Sequence, residues 1–126
     1  MVQVETSQLT AECNHWRDAL RQYREEFIKN KLKLQHAASP SLSKDLLQHV
    51  EHLHNQFHIQ LINIHDLKQS IKSHNRKIDY EMNVYKGQLN DETVVEHEML
   101  FDQYQNLALT LQELREEFAG FLHRTI

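Results

Sequence analysis

The sequence predicts an all-α fold, an elongated antiparallel three-helix bundle with coiled-coil-like heptad packing. Three observations predict it. The chain of 126 residues holds two glycines and one proline, far fewer than a β or α/β chain uses in its turns. Its apolar residues recur at alternating steps of three and four, the spacing of a helical seam. Two short polar stretches, HAASPSLSKD at 36–45 and KGQLND at 86–91, interrupt that recurrence. This length suits one domain, 1–126.

The first helix is expected at about 7–37. Its seam is Leu9, Cys13, Trp16, Leu20, Tyr23 and Phe27, then a gap at Asn30, then Leu34. Pro40 ends it, because proline has no N–H to donate and disfavours helical geometry at Ser39. Ser39, Ser41 and Ser43 are candidate N-caps for the next helix.

The middle helix is expected at about 42–86. Phe57, Ile64, Ile71, Ile78 and Tyr85 recur every seven residues, with Leu46, Val50, Leu53 and Leu67 in the complementary positions. Gly87 suits the left-handed residue that commonly follows a helix. At 1.5 Å per residue this helix is about 67 Å long and its neighbours about 45–50 Å. On that arithmetic residues near 42–53 meet only the first helix, and residues near 73–86 mainly the third.

The third helix is expected at about 91–123, on Leu100, Tyr104, Leu107, Leu111, Leu114, Phe118 and Phe121. Asn90 reads as its N-cap, and Leu89 with Val94 has the spacing of a hydrophobic staple. No run of period-two alternation predicts a strand.

Hydrophobic residues make up 40% of the chain and charged residues 25%, with 14 basic and 18 acidic side chains and a formal net charge of −4. No face-wide positive field follows from that balance, so no nucleic-acid partner is expected. The basic stretches KNKLK at 29–33 and KQSIKSHNRK at 68–77 read as solvated helix faces offset by nearby acids. RQYREEF at 21–27 and LREEF at 114–118 supply Arg and Glu for ion pairs. No apolar run approaches a membrane span. MVQVETSQL lacks the marks of a secretory signal. Cys13 is the single cysteine, so no internal disulfide forms, and its seam position reads as a buried structural thiol. A cytoplasmic location is expected. The chain has no glycine-rich phosphate loop, CxxC, HExxH or GxSxG, so neither an enzyme nor a cofactor is predicted.

The stretch FHIQLINIHDL at 57–67 is apolar on more than one side. Phe57, Ile64 and Leu67 belong to the seam, but Ile59 and Ile62 project away from it. Ile28 and Leu32 do the same on the first helix, and Leu109 on the third. These five residues read as a second interface, and a symmetric homodimer is the simplest assembly that covers them. The function this predicts is non-enzymatic, acting through protein–protein interaction and self-association.

The alternative is a metal-binding bundle. Six of the ten histidines fall between His49 and His74. His54 and His58 are four apart and project from one side of a helix. Glu51 adds a carboxylate in the Glu-x-x-His spacing that bundle metal sites use. Glu12 and His15 form a second such pair, but the hairpin sets it roughly 24 Å from Glu51 along the axis. His74 and His97 fall on seam positions, where a partly buried neutral imidazole would make stability sensitive to pH.

Overall fold

A computed structural model describes residues Met1–Thr125. Three helices carry the chain: α1 at Thr6–Ala37, α2 at Lys44–Val84 and α3 at Asp91–Thr125. Their boundaries lie within two residues of those the periodicity predicts. α1 stops before the Pro40 turn, and the Ser43 hydroxyl caps α2 by accepting the Leu46 N–H.

Every buried residue of the three helices falls on an a or d position of the heptad. With a and d facing the axis, α1 places Cys13, Leu20, Phe27 and Leu34 at a and Trp16 and Asn30 at d. In α2 Phe57, Ile64, Ile71 and Ile78 take a, while Leu53, Gln60, Leu67, His74 and Glu81 take d. In α3 His97, Leu111 and Phe118 take a, and Thr93, Leu100, Leu114 and Phe121 take d. Phe57 sits between Phe27 at 5.3 Å and Phe118 at 5.2 Å, both edge-on, and ties all three helices together.

Cross-helix pairs fix the topology. His74 and His97 meet near one end of the α2–α3 pair, and His49 packs on Phe121 at the other. Phe27 meets Phe57 while Cys13 lies beside His74. α2 therefore runs against both neighbours. α1 and α3 run parallel, with Trp16 stacked beside Phe101 and Tyr104 and Glu26 bound to Arg115.

The expected division of α2 into singly covered ends does not hold. His49 reaches α3, and His74 reaches α1 as well as α3. The helices of 32, 41 and 35 residues are near enough in length to run side by side for most of their course.

Two further features complete the end where α2 turns into α3. Lys86 (φ 53°) and Gly87 (φ 90°) both adopt the left-handed region, and the Gly87 N–H bonds to the Met82 carbonyl. The helix-ending position itself falls to Lys86, with Gly87 following it. Val2–Gln3 then pairs antiparallel with Gln88–Leu89, Val2 opposite Leu89. A two-residue strand is too short for alternation to reveal it, so the periodicity missed this strap. It closes over Leu89, which is fully buried.

Glu81 is a buried carboxylate, 3% exposed, on the d seam of α2. It accepts the Asn90 N–H at 2.9 Å and the Thr93 hydroxyl at 2.7 Å. Asn90 immediately precedes α3 and Thr93 lies in its first turn, where the helix dipole also favours a negative charge. This contact, rather than an Asn90 side-chain cap, anchors the start of α3.

Candidate functional site

One layer above that anchor, the core becomes polar. Among the described residues a single group of three or more metal-ligating side chains comes together: Cys13 of α1, His74 of α2 and His97 of α3. One donor atom from each lies within 4.8 Å of the other two, and all three residues are buried. Heptad position explains the convergence. Cys13 and His97 stand at a and His74 at d, so each points at the axis from its own helix. The expected structural thiol is buried as predicted. His74 and His97 are also on the seam as expected, but their meeting with Cys13 is not foreseen, because nothing in the local sequence reports which a and d residues share a level.

The imidazoles form part of a chain of four groups. Glu96 Oε1 lies 2.7 Å from His74 Nδ1, and His74 Nε2 lies 2.9 Å from His97 Nδ1. His97 Nε2 in turn faces Glu12 Oε1 at 3.7 Å, outside hydrogen-bond range, and is a buried atom with no hydrogen-bond partner. The rings of His97 and Trp16 lie 4.9 Å apart, tilted by 36°. Glu96 also accepts from Lys77 at 3.3 Å.

The arrangement sets the titration of its members. Burial, then the neighbouring His74, holds His97 below the usual histidine range. Burial pushes the Cys13 thiol up to about 11, with Glu12 adding to the shift. Burial opposes ionisation of Glu96, but bonds from His74 and Lys77 outweigh it and hold its carboxyl below the usual range.

The predicted metal ligands lie elsewhere. Glu51 and His58 are exposed and His54 is half-buried, toward the other end of α2. The structure does not gather them with a further ligand into a group like that at Cys13. His15, the partner proposed for Glu12, points instead toward the α1–α3 groove beside Tyr104 and Arg115. Glu12 faces His97, so one carboxylate of interest stands beside a different histidine.

The second candidate is a surface. Arg17, Arg21 and Lys68 line one pocket with Asn14 and Asp18, on the side where α1 and α2 meet. Burial and the adjacent Arg24, Arg21 and Arg17 together hold Lys68 below the usual lysine range. Arg21 pairs with Asp18 at 3.4 Å, whereas Arg17, Arg24 and Lys68 have no ion pair among the described residues. Lys31, Lys72, His54, His58 and His65 occupy the same b and e heptad positions and extend the cationic side along the bundle. Composition alone hid this, since a net charge of −4 averages over faces. The acids Glu92, Glu96, Glu113 and Glu117 take c and g positions of α3, on the side shared with α2.

The five residues of the predicted second interface are all exposed: Ile28 36%, Leu32 52%, Ile59 45%, Ile62 49% and Leu109 60%. Leu32, Ile62 and Leu109 occupy f, the outermost position, each on a different helix. An f residue points directly away from the axis, so these three radiate in different directions and form no single stripe. No helix among the described residues is long and apolar enough to cross a membrane.

Comparisons with protein-family models, with curated proteins and with solved structures find no match to this chain.

Proposed function

We propose that this chain is a non-enzymatic interaction module of the cytoplasm that docks an acidic protein segment on the α1–α2 side. The observation carrying this reading is the crowding of Arg17, Arg21, Arg24 and Lys68 with Asp18 as the one paired acid. Like charges held together raise the free energy of the unbound surface, and an anionic partner relieves it. Ile28 lies on the same side and offers apolar contact beside the charges. A compact acidic segment suits this face better than a long polyanion does. The rest of the surface carries the net negative charge, which repels an extended nucleic acid.

A second copy is the other partner that the charge pattern favours. Glu92, Glu96, Glu113 and Glu117 on the α2–α3 side complement the cationic side, and such a contact is heterologous rather than two-fold.

Affinity capture from native cell extract tests the reading, comparing the wild-type chain with an Arg17→Glu/Arg21→Glu/Arg24→Glu variant after nuclease treatment. The expected result is retention of acidic proteins by the wild type, weakened by salt and absent from the variant. An identical set of captured proteins in both would contradict it. Capture that disappears with nuclease treatment would reassign the surface to nucleic acid.

A further inference from the structure

We propose that Cys13, His74 and His97 form a binding site for a borderline-soft divalent metal ion, best zinc, with Glu96 and Glu12 holding the two imidazoles from behind.

The chain Glu96, His74, His97, Glu12 contains three facing pairs of acceptor atoms. Two neutral imidazoles bring two N–H groups, so one pair has no hydrogen between its members. Glu96 fixes His74 with its proton on Nδ1. His97 then has two choices. A proton on Nδ1 bonds to His74 and leaves a bare Nε2 facing the Glu12 carboxylate. A proton on Nε2 serves Glu12 and leaves two bare nitrogens facing each other at 2.9 Å. In either case two lone-pair atoms face one another, and at least one is a buried ring nitrogen. A metal ion between His74 Nε2 and His97 Nδ1 lets the His97 proton sit on Nε2 toward Glu12, and the Cys13 thiol, within 4.8 Å of a donor nitrogen of each ring, supplies the third ligand.

The geometry fits. Two nitrogens at 2.0–2.1 Å from a tetrahedral zinc ion lie about 3.3 Å apart, and a sulfur and a nitrogen about 3.5 Å apart. The imidazoles need part by only a few tenths of an ångström, and Cys13 close by at most about 1.3 Å. Each ligating histidine would then turn its other nitrogen to a carboxylate, the arrangement that fixes ring orientation and strengthens a ligand. The donor set of two nitrogens and one sulfur suits zinc and its neighbours and excludes calcium and magnesium, which take oxygen. On binding, the Cys13 thiol gives its proton to solvent and the sulfur becomes a thiolate ligand. The His97 proton sits on Nε2 toward Glu12, and His74 keeps its Nδ1 proton on Glu96. Three protein ligands leave a fourth position for water.

The test is a cobalt(II) titration of the full chain, purified without a histidine tag and stripped with a chelator. One equivalent should produce the near-ultraviolet thiolate-to-cobalt charge-transfer band and the visible bands of a tetrahedral ion, and zinc should displace both. Cys13→Ser should abolish the charge-transfer band. Glu12→Gln and Glu96→Gln alter carboxylates that are 37% and 41% exposed, so they leave the fold intact. Each should weaken zinc binding about 10–100-fold. His54→Ala/His58→Ala should leave the band unchanged. A wild-type chain that shows no charge-transfer band at saturating cobalt would overturn the proposal. So would unchanged zinc affinity in both glutamine variants, or loss of the band in the His54/His58 variant.

Discussion

Thr93 donates its hydroxyl to the Glu81 carboxylate at 2.7 Å, inside a core where no cation among the described residues pairs with Glu81. A hydrogen bond to a buried charge stabilises by about 1.5–3 kcal/mol net, more than a neutral one. Thr93→Val keeps the shape and removes the donor. It should lower the unfolding free energy by about 1.5–3 kcal/mol, read from a urea midpoint at unchanged m-value. A loss below half a kcal/mol would mean that the Asn90 N–H and the helix dipole suffice for Glu81.

Glu26 and Arg115 carry the α1–α3 side, with both guanidinium bonds at 2.7 Å and the group 4.9 Å above the Tyr23 ring. The side chains are 34% and 40% exposed, so solvent screens much of the attraction. A double-mutant cycle on Glu26→Gln and Arg115→Gln should return a coupling of about 1 kcal/mol, the upper end for exposed pairs because the pair is bidentate. The coupling should shrink in high salt.

The metal-free protein should lose stability on acidification from pH 7.5 to 5.5. His97 titrates lower in the fold than in the unfolded chain, where its value is 6.5. Above that value neither state holds the proton and the stability is intact. As pH falls through 6.5 the unfolded chain binds the proton first, and stability declines until the folded pKa is reached. Glu96, also held low, acts in the other window, because its contribution persists above its unfolded value of 4.5. The melting temperature should therefore drop between pH 7.5 and 5.5, and His97→Gln should flatten the drop. Equal slopes in both proteins would assign the effect to other histidines.

Sedimentation velocity decides how the surface charges act between copies. Association driven by the cationic α1–α2 side should dissociate in high salt and disappear in the Arg17→Glu/Arg21→Glu/Arg24→Glu variant. Association that survives both would point back to the exposed Ile59, Ile62, Ile28, Leu32 and Leu109.

The helices and their seams were legible because burying an apolar stripe imposes a period that survives in one dimension. Phe57, Ile64, Ile71 and Ile78 announce themselves in this way, and so does the break at Pro40. The polar layer was not legible for a related reason. His74 and His97 were visible as seam histidines, yet their partnership depends on register between helices, which set residue 74 level with residues 13 and 97. Glu81 is a single charge on a seam, and its donors lie across the turn. His54 and His58 drew attention because four-residue spacing can be read from sequence, whereas three ligands from three helices cannot. The cationic side escaped for want of the same information, since Lys68 meets Arg17 and Arg21 only once α1 and α2 are set side by side.

The most direct measurement is X-ray absorption at the zinc edge of the chain loaded with one equivalent of zinc. One sulfur neighbour at about 2.3 Å and two imidazole nitrogens at about 2.0–2.1 Å are expected. A first shell of nitrogen and oxygen alone would contradict it, by placing the ion on surface histidines instead of between Cys13, His74 and His97.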